Sequence, residues 1–136
     1  MDAIIIAGGE GKRMGSDLPK ALVKTKGKPI LAWQIDYLLN SGIEKIVLAI
    51  GHKAEAIVDY IRDNYSDKVD FTIEKKLLGT AGAVKLALQK CSSEFVVVLN
   101  CDDLTDINIK KLEEKRENTI CIAHPSLHFG RVAEKN

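Results

Sequence analysis

Apolar positions follow two alternating rhythms along the chain. Ala3-Ile4-Ile5-Ile6 is a continuous apolar run that predicts a buried strand over residues 2–6. Positions 29–41 change to helical spacing, with Pro29 near the start and Gly42 as the closing residue. Trp33 and Tyr37, one turn apart on that helix, read as helix core. Ile46-Val47-Leu48-Ala49-Ile50 returns to the strand pattern, and residues 53–63 place Ala56, Ile57, Tyr60 and Ile61 on one helical face. A strand over 69–73, a helix over 80–90 and the strongly β-prone Phe95-Val96-Val97-Val98-Leu99 continue the alternation. A charged helix over 106–116 and a strand at Ile120-Cys121-Ile122-Ala123 end it. Unbroken apolar strands separated by helices predict an α/β protein with three α/β/α layers around a mostly parallel sheet.

Composition narrows the partners. The 136 residues suit a single domain spanning 1–136 that buries its own core. A net charge of +1 leaves no electrostatic footprint for nucleic acid or an anionic membrane surface. No apolar stretch approaches the roughly 20 residues needed to span a bilayer, and Met1-Asp2 is acidic where a secretory leader is basic. Cys91, Cys101 and Cys121 lack C-x-x-C spacing, so free thiols in a reducing, cytoplasmic setting are expected and a zinc site is not.

The candidate chemistry lies where strands end. After the first strand comes Ala7-Gly8-Gly9-Glu10-Gly11-Lys12-Arg13-Met14, then Pro19-Lys20. Three glycines in four positions let backbone N–H groups crowd around an anion, and Arg13 and Lys20 add cationic donors. A P-loop requires Gly, four residues and Gly-Lys-Ser/Thr, but Ile6 and Arg13 break that template. The dinucleotide fingerprint fails at Met14. A plain strand-to-helix connection is the competing reading. After the strand at 95–99 comes Asn100-Cys101-Asp102-Asp103, which puts carboxylates at the same sheet edge. Asp102, nearest the strand end, is a candidate Mg²⁺ ligand, while Asp103 and Asp106 equally suit charges at the next helix's N-terminus. Leu78-Gly79-Thr80-Ala81-Gly82-Ala83 opens a helix with small residues; there a base or sugar can approach, or Thr80 can cap and Gly82 can pack.

Taken in this order and spacing, these segments resemble the sugar-1-phosphate nucleotidylyltransferases, specifically the N-terminal nucleotide-binding portion of their catalytic domain. Gly8-Gly9-Glu10-Gly11-Lys12-Arg13-Met14 with Pro19-Lys20 is similar to the family's opening motif. Gly79-Thr80-Ala81-Gly82 matches its Gly-Thr-Ala-Gly segment, and Asn100-Cys101-Asp102 looks like its Asn-Gly-Asp metal motif. Phe129-Gly130-Arg131-Val132 resembles its sugar-side segment. The resemblance implies a Rossmann-like fold of the nucleotide-diphospho-sugar transferase type. It also implies transfer of a nucleoside monophosphate from a nucleoside triphosphate to a sugar 1-phosphate, with release of pyrophosphate. It assigns Arg13 and Lys20 to catalysis, and Ala7, Gly8, Gly9, Gly11, Lys12, Glu74, Gly79 and Thr80 to the nucleotide. Gly130 falls to the sugar phosphate and Asp102 to Mg²⁺. Two departures stand out. Lys12 replaces the family's Thr or Ser, and the chain ends shortly after Gly130, so an abbreviated catalytic domain is expected. A glycosyltransferase with an Asp-x-Asp site and a nucleotide-binding domain without turnover are the alternatives. The base, the sugar and the oligomeric state, a homo-oligomer included, stay open.

Overall fold

The computed structural model describes residues 1–9, 18–51, 53–65, 67–76 and 78–122. β1 (Asp2–Ala7), β4 (Ile46–Ile50), β5 (Val69–Ile73) and β6 (Val96–Asn100) form a parallel sheet in the order β5-β4-β1-β6. The register pairs Ile5 with Leu48 on one side and with Leu99 on the other. Between Lys20 and α1 (Ile30–Asn40) lies a hairpin of two-residue strands, β2 (Lys24–Thr25) and β3 (Lys28–Pro29). Its turn residues Lys26 and Gly27 both have positive φ, 49° and 80°. That is the backbone of a type I′ turn, whose twist matches the strands.

The alternation of side chains along each strand divides the core in two. Ala3, Ile5, Ile46, Leu48 and Ile50 face a layer containing Leu31 and Ile35 of α1, Ile57 and Ile61 of α2 (Ala54–Tyr65), and Ile109 of α4 (Ile109–Lys115). Ile4, Val47 and Ala49 face Ala83 and Ala87 of α3 (Gly79–Leu88). The three-layer prediction therefore holds. The split follows from chain direction: β1→β4→β5 moves one way along the sheet, and β5→β6 steps back across β4 and β1. A constant crossover hand then puts α1 and α2 on one face and α3 on the other. Winding reverses between β1 and β6, so a crevice opens there at the carboxyl ends of the strands.

Four expectations need correction. Residues 120–122 form no strand; Ile120 and Ile122 are 88% and 83% exposed, and a strand without a ladder partner is not held. α4 starts at Ile109, later than the charge pattern suggested, because the Asn108 side chain accepts the Lys111 N–H and caps it; Asp103 and Asp106 do not. Thr80 is not a cap either: it lies in the first turn of α3, whose N-cap is Leu78. Trp33 is 39% exposed rather than core, with its Nε1 donating to Thr25 O and the Lys28 ammonium 4.7 Å from its ring centre. Among the described residues, no helix is long and apolar enough to cross a membrane.

Candidate active site

Because all four strands are parallel, the segments after β1, β4, β5 and β6 share one edge. Gly8 follows β1 and Gly51 follows β4, and their backbones touch. A Cβ built on Gly51 would stand 2.9 Å from Gly8 O, and one on Gly8 would stand 3.4 Å from Gly51 N. Glycine at 51 is thus required by close approach. Among the described residues a Cβ on Gly9 would meet nothing within 4 Å, and Gly9 is exposed. Glu74, just past β5, brings Oε1 to 3.4 Å from the Gly8 Cβ position. Its backbone N–H donates to Ile50 O at 2.8 Å, and its Oε2 accepts the Leu78 N–H at 3.0 Å. Glu74 therefore ties the end of β4 to the start of α3 and stands beside Gly8; at that start Gly79, with φ +70°, and Thr80 lie exposed. Gly82 faces its own helix's cap: a Cβ there would stand 2.4 Å from the Leu78 Cβ, which is a packing role.

Across the β1–β6 crevice the second group assembles. The Lys20 ammonium, in a 3₁₀ turn at Lys20–Leu22, donates to Asp102 Oδ2. The hydrogen bond and charge of Asp102 raise the Lys20 pKa above its ordinary value. Reciprocally, the hydrogen bond from Lys20 outweighs partial burial and lowers that of Asp102. Both side chains keep over a third of their surface exposed, so the pair stands at an accessible edge. Between them Cys101 is buried, and burial, reinforced by the Asp102 charge, pushes its thiol up to about 11. It is therefore a neutral packing residue at pH 7. Its N–H donates to Ile6 O at 3.0 Å, which binds the turn after β6 to β1.

The structure thus brings Ala7, Gly8, Gly9, Glu74, Gly79 and Thr80 to the edge that also holds the Lys20–Asp102 pair. Gly11, Lys12, Arg13 and Gly130 lie outside the described residues. Two residues escaped the motif reading. Gly51 carried a signal, as a glycine directly after a buried strand. Gln34 carried a subtler one, since spacing from Leu31, Ile35 and Leu38 puts this polar residue on the buried stripe of α1. No three His, Cys, Asp or Glu side chains among the described residues converge into a metal cage. Mg²⁺ commonly takes one or two carboxylates and completes its shell with water and substrate phosphates, and Asp102 beside a glycine loop suits such a shared site.

Known proteins similar to this chain are nucleotidyltransferases. The chain is 39% identical over 141 aligned positions to the D-glycero-α-D-manno-heptose 1-phosphate guanylyltransferase of Campylobacter jejuni, covering 100% of this chain and 63% of that protein. It is 38% identical to the enzyme of the same name from Aneurinibacillus thermoaerophilus, over 85% of this chain and 52% of that one. The crystal structure of HddC from Yersinia pseudotuberculosis complexed with GMP-PN superposes with a TM-score of 0.77 at 36% identity, covering 84% of this chain and 53% of that chain. The chain spans between about half and two thirds of the length of these relatives. The family model of MobA-like NTP transferase domains matches residues 3–127, and the chain belongs to that family.

Proposed function

We propose that this domain activates a nucleoside triphosphate for transfer to a sugar 1-phosphate, with GTP as the nucleotide and a manno-configured sugar 1-phosphate as acceptor. The observation that carries this reading is the meeting of Lys20 and Asp102 at the β1–β6 crevice, opposite the Gly8-Gly9 loop. The names of the relatives support the choice of guanine and of a manno-heptose 1-phosphate. A phosphate oxygen of the sugar 1-phosphate attacks the α-phosphorus of GTP. The bond from that phosphorus to the bridging oxygen breaks, and pyrophosphate leaves with the electron pair. The attacking phosphate is already ionised at neutral pH, so the protein need not supply a base. Its task is in-line positioning and charge neutralisation.

In this reading Gly8, Gly9 and Gly11 approach the triphosphate through their backbone, helped by Ala7 and Lys12, and Arg13 holds the departing pyrophosphate. Lys20 exchanges Asp102 for the α-phosphate and the incoming sugar phosphate. Glu74, Gly79 and Thr80 border the base and ribose, and Gly130 the sugar phosphate. Asp102 is the residue that would hold Mg²⁺. When bound, that ion would neutralise negative charge on the phosphates. The two-sided core built on one sheet supports a single domain over 1–136. The free thiols Cys91, Cys101 and Cys121 support a reducing, cytoplasmic compartment.

The test is pyrophosphate release from each nucleoside triphosphate paired with a panel of sugar 1-phosphates in the presence of Mg²⁺. GTP with a manno-configured sugar 1-phosphate should release the most. Binding of GTP without pyrophosphate from any pair would replace this reading with that of a nucleotide-binding domain.

A further inference from the structure

Gln34 is 3% exposed, on the face of α1 that carries Leu31, Ile35 and Leu38. Its Nε2 donates two hydrogen bonds, to Asn100 O at 2.6 Å and to Asp103 O at 2.8 Å. Those carbonyls stand at the two ends of one four-residue turn, Asn100–Asp103. The turn is closed by the Asp103 N–H on Asn100 O at 3.3 Å and by Asn100 Nδ2 on Asp103 Oδ2 at 2.9 Å. Asp102 is the third residue of that turn. A single buried amide nitrogen therefore grips both ends of the loop that presents the carboxylate.

The orientation of this amide is dictated by chemistry. Both carbonyls are acceptors, so only the nitrogen can face them. The cost falls on Oε1, which is buried and has no hydrogen-bond partner among the described residues. Packing α1 on β6 requires no polar atom at this position, and an aliphatic side chain of similar length would fill the space without orphaning an oxygen. The one thing the amide supplies that an aliphatic chain cannot is a pair of donors to the turn.

We propose that Gln34 is a positioning residue for Asp102: it fixes the Asn100–Asp103 turn so that the carboxylate is held ready for a divalent cation at the mouth of the β1–β6 crevice. The inference rests on the reading of Asp102 as the metal-holding residue. It assigns a site role to a helix that the motifs leave out, because α1 contributes no residue to the glycine loop or to the strand ends.

The test uses the whole chain without nucleotide and Mn²⁺ alone as the probe, titrated by water-proton relaxation. Amide hydrogen exchange is followed at Asp103 and, as a core control, at Leu48. Gln34→Met keeps length and packing and removes both donors. Gln34→Leu, one bond shorter, also removes both donors, with a strong helix former, and supplies a second folded background. Gln34→Glu presents oxygens to the two carbonyls. In the Met and Leu variants Mn²⁺ affinity should fall about tenfold, as for loss of other partners that orient metal ligands. Exchange at Asp103 should quicken while Leu48 keeps its protection, and Gln34→Glu should lose more affinity than either. Unchanged Mn²⁺ affinity in the Met and Leu variants, with Asp103 as protected as in the parent, would overturn the proposal. Asp102→Asn separates the two readings. If that variant binds Mn²⁺ like the parent, the metal assignment of Asp102 falls. The positioning of the turn by Gln34 is then decided by Asp103 exchange alone: faster exchange upholds it and unchanged exchange overturns it.

Discussion

Lys20→Ala separates chemistry from stability more cleanly than any other substitution at this site. Lys20 and Asp102 are paired, but their side chains are 39% and 37% exposed. An ion pair so open to water contributes about 0.2–1 kcal/mol. With an unfolding entropy of about 2 cal/mol/K per residue, a 136-residue domain loses roughly 0.3 kcal/mol per kelvin near its midpoint. The melting temperature should therefore move by no more than about 3 °C. The pH dependence of that small difference has a definite shape. The Asp102 pKa lies below 3.8, so its share of the pairing is present above that value and is lost as pH falls through the lower folded one. The Lys20 pKa lies above 10.5, so its share is complete below that value and is lost as pH rises through the higher folded one. Between about pH 5 and pH 9 the difference in melting temperature should be flat. Turnover should behave otherwise. Removing a cation aimed at charge that builds up in the transition state costs about 10²–10³ in rate. Pyrophosphate release with saturating GTP, measured alongside calorimetry on the same samples, supplies both numbers. A fall of 10 °C or more in melting temperature would make Lys20 a structural residue, and unchanged pyrophosphate release would remove it from catalysis.

Asp102→Asn should raise the Mg²⁺ concentration needed for half-maximal pyrophosphate release more than tenfold, and an unchanged Mg²⁺ titration would sink the assignment. Gly51→Ala forces a Cβ to 2.9 Å from Gly8 O, a backbone atom with little room to yield, so urea unfolding should show a loss of about 1–3 kcal/mol. Gly9→Ala meets nothing within 4 Å among the described residues, so it should stay within about 0.5 kcal/mol of the parent yet bind GTP more weakly by calorimetric titration. Asp2 is buried and accepts hydrogen bonds from Ser92 N at 2.7 Å, Ser93 N at 3.1 Å and Ser93 Oγ at 2.7 Å. Burial alone would raise its pKa, but these donors together hold it below 3.8. Asp2→Ala should therefore cost about 2–3 kcal/mol at neutral pH. That cost should shrink as pH falls through the folded value of Asp2, so the urea midpoints of parent and variant converge in acid.

How far the sequence disclosed this molecule depended on the range of the interactions involved. The sheet strands were legible because burial on both faces writes an unbroken apolar run: the 46–50 and 69–73 strands were expected with the bounds observed. The β2–β3 hairpin was not, since two-residue strands carry no periodicity. Only the positive φ at Lys26 and Gly27 reveals its turn. The strand expected at Ile120-Cys121-Ile122-Ala123 failed over its described residues 120–122 for the opposite reason: its apolar pattern was present without a ladder partner among the described residues. At the site, the shared edge of Lys20 and Asp102 followed from strand-end logic, because parallel strands place both loops on one edge, whereas their ion pair is a finding of the structure. Gln34 was visible only as a polar residue on an apolar stripe. Which carbonyls it meets, 66 and 69 positions away, is a property of the packed helix and not of its spacing.

The reversal of winding explains why the site joins residues so distant in sequence. Lys20 and Asp102 are 82 positions apart, yet they follow β1 and β6, the two strands that flank the crevice. β6 reaches β1 only after α3 has carried the chain back over β4 and β1, so the carboxylate joins the glycine loop when the last strand of the described sheet docks. α1 lies on the opposite face, and it is α1 that grips the turn after β6 through Gln34. The edge that carries the Lys20–Asp102 pair is thus held from both layers: α3 delivers the strand and α1 fixes its end. A site that closes with the last strand of the described sheet ties its geometry to the docking of that strand. Ligands that bind across the crevice then stabilise the docking of β6 by mass action, in proportion to their affinity for the closed edge.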